Sequence, residues 1–156
     1  ALIEKQNYLE SLNITPKTGA LQRWTGVKQF KIVDSVALPK NATYQFVTVI
    51  NLAGNEGIEQ LSMVFKGYFY AEAEGLYEFA TKSDDGSLLF IGDKMVVDNG
   101  GNHSAIEKNG MVALQKGWHP ITIKYHEATG GGELSVSFKA PNGEKQVLKG
   151  NVIAHD

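Results

Sequence analysis

LSMVFKGYFYAEAEGLYEFATKS, Leu61 to Ser83, alternates apolar and polar side chains with a period of two through two runs that break at Glu74 and Gly75. In the first run Met63, Phe65, Phe69 and Ala71 share one face with Gly67, while Val64, Lys66, Tyr68 and Tyr70 take the other. Both faces carry apolar or aromatic groups, so this run predicts a central strand. In the second run Tyr77, Phe79 and Thr81 alternate against Leu76, Glu78 and Lys82, which predicts an antiparallel partner joined through the turn at Glu74 and Gly75.

The same pattern continues outward. Ser87 to Ile91 predicts the next strand, a tight turn falls at Gly92 and Asp93, and Met95 to Val97 returns. Further on, Ile121, Ile123 and Tyr125 alternate with Thr122, Lys124 and His126, then Leu134, Val136 and Phe138 with Ser135, Ser137 and Lys139. Gly130-Gly131-Gly132 lies between them, and glycine accepts positive φ without strain, so a second hairpin is expected there. Short strands punctuated this regularly give an all-β fold and favour a two-sheet antiparallel β-sandwich over a barrel, although periodicity alone does not separate the two. Its core should hold Phe65, Phe69, Phe79, Leu89, Ile91, Ile121, Ile123, Val136 and Phe138. Residues 1–156 read as a single domain, in which Ile3 to Pro16 makes one helical turn or residues 1–20 lead in from a preceding domain.

Composition narrows the function. At 156 residues, 42% hydrophobic and 21% charged, the chain can bury a real core. A net charge of -2 with no basic cluster argues against nucleic acid and anionic membranes as partners. With no cysteine, disulfides and thiolate metal sites are excluded, and no run approaches the roughly 20 apolar residues of a membrane span. The first residues lack the basic-then-apolar pattern of a signal peptide. The sequons at Asn13, Asn41 and Asn102 are short enough to be chance matches.

SDDGSLLFIGDKMVVDNGG, Ser83 to Gly101, sets Asp84 and Asp85 side by side at the end of a strand. On an ordinary strand neighbouring side chains point to opposite faces, so the two carboxylates serve one ligand only if the backbone bends sharply or their peptide is cis. One reading is a cation site: calcium takes 6 to 8 oxygen ligands, which two carboxylates, loop oxygens and sugar hydroxyls supply. The other is that Asp84 caps a turn through backbone amides while Asp85 is solvated. Trp118 is either a sugar-stacking platform or an edge filler. His103, His119 and His126 lack the paired spacing of a zinc helix, and adjacent carboxylates cannot flank a glycosidic bond from two sides. Catalysis within the chain is not expected.

FKGYFYAEAEGLYEFATKSDDGSLLFIGDKMVVDNGGNHS followed by GMVALQKGWHPITIKYHEATGGGELSVSF resembles the anthrax protective-antigen-type β-sandwich, the PA-fourteen domain, over Gly67 to Phe138. The wording is most similar to copies appended to bacterial glycoside hydrolases of the β-hexosaminidase and β-glucosidase type. The resemblance implies a jelly-roll-like sandwich and a noncatalytic carbohydrate-binding or substrate-shaping module of a secreted or cell-surface glycoside hydrolase. Its location would be extracellular, periplasmic or at the cell surface, and its partners a glycan and a neighbouring catalytic domain. The alternative is a structural domain that packs on such a neighbour and binds neither sugar nor calcium. In sugar-binding adhesins of the family a cis-linked aspartate pair holds a calcium ion that grips two sugar hydroxyls, and that pair falls on Asp84 and Asp85. An asparagine ligand of those adhesins aligns near Glu127, so the implied metal set is Asp84, Asp85 and Glu127, with Asn99, Asn102 and His103 as further sugar contacts.

Overall fold

The computed structural model describes residues 17–18, 21–27, 43–52, 56–57, 61–128 and 130–155. Its strands are β1 (Lys17–Thr18), β2 (Leu21–Val27), β3 (Thr43–Val47), β4 (Leu61–Ala71), β5 (Gly75–Asp84), β6 (Ser87–Ile91), β7 (Lys94–Asn99), β8 (Ile106–Leu114), β9 (Gly117–Glu127), β10 (Glu133–Lys139), β11 (Gln146–Val147) and β12 (Ile153–His155), with a 3-10 turn at Gly150–Val152. They form two antiparallel sheets. The larger runs β1-β12-β4-β9-β6-β7, with β2 beside β4 and β3 beside β2, and the smaller runs β11-β10-β5-β8. No helix among the described residues is long and apolar enough to cross a membrane.

β4 is the central strand that its two apolar faces predicted. It pairs with β9 from Leu61↔Glu127 to Ala71↔Gly117, while β2 and then β12 share its other edge. All the expected core residues are buried, none more than 4% exposed. The ring of Phe69 meets Tyr77, Phe79 and Phe138 of the opposite sheet edge-on, at centroid distances of 5.6, 5.0 and 5.1 Å. Edge-to-face contact of this kind adds to burial, so this aromatic cluster ties the two layers together.

Both long-range hairpins expected from the sequence are corrected. β5 does not pair with β4, nor β10 with β9; each lies in the opposite sheet. Alternation reports which face is buried, and two facing sheets bury their inner faces as well as a hairpin buries one side, so periodicity cannot name the partner. The tight turn at Gly92 and Asp93 is a true hairpin, with Ile91↔Lys94 paired and a bulge between Leu89 and Phe90.

The crossings are anchored by polar side chains. At the end of the sandwich where β4 passes to β5, Tyr77 Oη donates to Ala73 O at 2.7 Å and accepts from Ala73 N at 3.2 Å. At the same end buried His119 places Nε2 2.7 Å from Gln115 O, beside the passage from β8 to β9. One side of the sandwich closes where β7 passes β8: a Cβ built on Gly110 would stand 1.7 Å from Val96 O, so only glycine fits.

Candidate functional site

Three passages between the sheets converge at the opposite end: β5 to β6 through Asp85 and Gly86, β7 to β8 through residues 100–105, and β9 to β10 through residues 128–132. Beneath them lies a buried polar layer. Ser83 and Ser87 hydroxyls are 2.7 Å apart, Ser87 Oγ donates to Thr81 Oγ1 at 2.9 Å, and Asn99 Nδ2 donates to Thr81 O at 3.1 Å and Ile106 O at 2.9 Å. Ser87 and Asn99 belong to the large sheet and Thr81, Ser83 and Ile106 to the small one, so this layer cross-links the sheets directly under the passages.

The Asp84–Asp85 peptide is cis. Asp85 is 7% exposed, and its two carboxylate oxygens accept backbone N–H groups from the other two passages: Oδ1 from His103 at 2.9 Å and Oδ2 from Ala128 at 2.8 Å. The turn-capping alternative thus assigned the aspartates the wrong way round. Asp85 is the buried acceptor, and Asp84 is the half-buried neighbour, paired in register with Glu133. Burial and then the Asp85 charge push the Asp84 carboxyl above its ordinary range.

Glu127 comes from the last position of β9, on the inner face two residues beyond Tyr125. Tyr125 Oη donates to Asp84 O at 2.5 Å and lies 3.5 Å from Glu127 Oε2. The carboxyl of Glu127 is fully buried, Oε1 has no hydrogen-bond partner among the described residues, and burial followed by the Asp85 and Asp84 charges raises its pKa to about 7. One carboxylate oxygen from each of Asp84, Asp85 and Glu127 lies within 4.8 Å of the others. An all-oxygen set with an orphaned buried acceptor fits a hard divalent cation, because an unpaired buried carboxylate is costly and a cation offsets it. Gly132 walls this group on the other side: a Cβ there would stand 2.5 Å from Tyr125 Oη and 3.1 Å from Glu127 Oε2.

The remaining expected contacts divide. Asn99 is 1% exposed with its amide N–H groups committed to the inter-sheet layer, so it supports the site from below, while its buried Oδ1 has no hydrogen-bond partner among the described residues. His103 lies at the rim, with Nε2 2.9 Å from Asn99 O and Nδ1 2.8 Å from Ser104 O, which ties down its own loop. Asn102 is exposed, and its Oδ1 is 2.8 Å from His126 Nε2. Trp118 stands at the far end of β9 with its ring 4.9 Å from that of Tyr70, away from the carboxylates. Alternation alone marks Tyr125 as a strand residue, and His126 as that and as a histidine without zinc spacing; the signal that finds them is their position, on opposite faces of β9 within two residues of Glu127.

A family model described as the PA14 domain matches residues 39–150. A β-hexosaminidase of Porphyromonas gingivalis is 28% identical over 142 residues, spanning 83% of this chain and 18% of the hexosaminidase. Among solved structures, an anti-sigma factor domain-containing protein superposes with a TM-score of 0.74 at 17% identity, over 92% of this chain and 49% of that one. A PA14 sugar-binding domain from an RTX adhesin gives 0.61 at 19% identity, over 90% and 99%. The A domain of epithelial adhesin 9 from Candida glabrata, in complex with Galβ1-4GlcNAc, gives 0.53 at 23% identity, over 62% and 52%.

Proposed function

The chain belongs to the PA14 domain family, and from that premise we propose that it is a noncatalytic carbohydrate-binding module. Asp84, Asp85 and Glu127 hold a calcium ion, and two vicinal hydroxyls of a sugar complete its coordination. The observation that carries this is the convergence of three carboxylates, one of them fully buried with an unpartnered oxygen, at the end of the sandwich where three passages meet. Among the described residues none of the three is ion-paired to lysine or arginine. Sugar binding named for an RTX adhesin domain and a Candida adhesin of this fold agrees with the reading. The three acids sit together rather than on two sides of a cleft, which suits ligation and not glycoside hydrolysis. The hexosaminidase relative, of which this chain spans 18%, supports a place as an accessory module beside the catalytic domain of an extracellular, periplasmic or surface glycoside hydrolase.

A second reading has one specific support. Asp85 already has both oxygens engaged by backbone amides, so it has a structural use with no ligand at all, as expected of a domain that only packs on a neighbour. Binding to a printed glycan array with calcium and with chelator separates the two. The carbohydrate module gives calcium-dependent signals, and a silent array under both conditions favours the packing domain.

A further inference from the structure

Resting on the calcium reading above, we infer that Tyr125 is the positioning residue that sets the size of the cation, its hydroxyl holding Asp84 where the carboxylates suit calcium and not magnesium.

The three acids are not held alike. Asp85 has a backbone N–H on each oxygen, from His103 and Ala128. Glu127 is flanked by two tied residues, since the N–H of His126 donates to Gly86 O at 3.0 Å and that of Ala128 to Asp85 Oδ2 at 2.8 Å. Asp84 has neither kind of support, and its carboxylate accepts no hydrogen bond from a described residue. It ends β5 opposite Glu133, and beyond that pairing its one tie among the described residues is the Tyr125 hydroxyl, 2.5 Å from its carbonyl oxygen.

That tie is rigid. Tyr125 is fully buried on the inner face of β9, paired with Met63 of β4 on one side and Ser87 of β6 on the other. Gly132 stands against the hydroxyl so closely that a Cβ there would lie 2.5 Å from Oη, which leaves the oxygen no room to retreat. Burial pushes the phenol's pKa well up, so the oxygen keeps the proton it donates. A carbonyl fixed from the core fixes the main chain from which the Asp84 and Asp85 side chains both start.

The consequence is a matter of ion size. Calcium accepts oxygens at about 2.3 to 2.6 Å in irregular arrangements, whereas magnesium demands about 2.0 to 2.1 Å in near-ideal octahedral geometry and gives up water reluctantly. Carboxylates anchored on two elements, β9 and the end of β5, cannot draw in onto the smaller ion. Without the Tyr125 tie Asp84 is free to follow the ion, and the discrimination falls.

The test titrates calcium chloride or magnesium chloride alone into chelator-stripped protein by calorimetry, with thermal melts alongside, for wild type, Tyr125→Phe, Gly132→Ala and Tyr77→Phe. Tyr77 is the matched control, a buried tyrosine whose hydroxyl donates to Ala73 O at 2.7 Å at the end away from the carboxylates. The wild type should prefer calcium. Tyr125→Phe keeps the ring and deletes one oxygen; it should weaken calcium about 3- to 10-fold, the loss of one neutral hydrogen bond, and change magnesium by less than about 2-fold, so the calcium-to-magnesium ratio falls. Gly132→Ala leaves the hydroxyl in place and crowds it; it should lower the ratio too, and it decides the question if Tyr125→Phe does not fold. Tyr77→Phe should lower the melting temperature in chelator and leave the ratio at the wild-type value, which separates positioning from a general loss of stability. A ratio unchanged in Tyr125→Phe, or lowered equally in Tyr77→Phe, overturns this proposal and leaves the calcium reading standing, as does a wild type that binds the two ions equally. A wild type that takes up neither ion removes the calcium reading, and this one with it.

Discussion

The carboxylate of Asp85 accepts the backbone N–H of Ala128 at 2.8 Å, which fastens the passage from β9 to β10 onto the passage from β5 to β6 across 43 residues of chain. The other oxygen fastens the third passage through His103. Replacing Asp85 with asparagine turns an –NH₂ toward one of those N–H groups, so a buried donor loses its acceptor and two donors oppose. Asp85→Asn should cost about 1 to 3 kcal/mol in chelator, measured by denaturant melts. A cost below about 0.5 kcal/mol would mean that the passages hold together without it.

Glu127 is the sharper probe of the cation, since unlike Asp85 it accepts no backbone N–H of a passage and touches only side chains, those of Tyr125 and Asp85. In chelator at pH 8, Glu127→Gln should raise the melting temperature, because it removes a buried charge facing two like charges. If the three acids hold calcium as proposed, the ion should stabilise the wild type by about 2.7 kcal/mol at a hundredfold excess over its dissociation constant, and the variant should lose most of that shift. Equal calcium shifts in the two proteins would remove Glu127 from the ligand set.

The same residue sets a pH dependence. Its folded pKa of about 7 lies above the ordinary 4.5, so the folded state keeps a proton that the unfolded chain releases. That contribution is complete below the unfolded value and is lost as pH rises through the folded one, and it amounts to no more than about 3 kcal/mol. The raised Asp84 acts in the same sense, and the lowered His126, desolvated by burial, in the opposite one. The informative quantity is therefore wild type minus Glu127→Gln in chelator. That difference should fall between pH 5 and pH 8, and a flat difference would show that Glu127 titrates normally.

Much of the sandwich was legible because burial on one face leaves period-two alternation in the chain, as in Ile121, Ile123 and Tyr125. The partners of β5 and β10 were not legible, since Phe79 and Phe138 alternate identically whether the neighbouring strand is across a hairpin or across the core. That misreading also hid the site. The passages at Asp85, at residues 100–105 and at residues 128–132 come together only when the chain changes sheet at each of them. The aspartate pair and Glu127 stood out by residue type and family resemblance. Asn99 did not reveal its burial, because an asparagine after a strand looks the same whether it faces solvent or cross-links two sheets.

Phe69 is where the inter-sheet contact concentrates, with three rings of the small sheet around it. Truncation to alanine removes those contacts and leaves a cavity that the stiff sheets cannot close. Phe69→Ala should cost about 3 to 5 kcal/mol in chemical unfolding. A loss under about 1 kcal/mol would mean that the layers do not depend on it.

Gly131 and Gly132 make a matched pair for testing how the last passage shapes the carboxylate group. A Cβ on Gly131 meets nothing within 4 Å, whereas one on Gly132 would press on Tyr125 Oη at 2.5 Å, Leu52 Cδ1 at 2.9 Å and Glu127 Oε2 at 3.1 Å. Those neighbours have little freedom: Tyr125 is pinned by its bond to Asp84 O, and the backbone of Gly132 is itself held by its N–H to Glu56 O at 2.8 Å. Gly131→Ala should therefore be neutral, or stabilising by up to about 1 kcal/mol through the unfolded chain. Gly132→Ala should cost about 1 to 3 kcal/mol as an overpacked substitution. Because the displaced atoms are the ones that hold Asp84 and Glu127 in place, it should also shrink the calcium-induced rise in melting temperature, which Gly131→Ala leaves intact. Equal calcium shifts in the two variants, measured side by side with chelator controls, would show that the wall at Gly132 supports the fold without shaping the cation site.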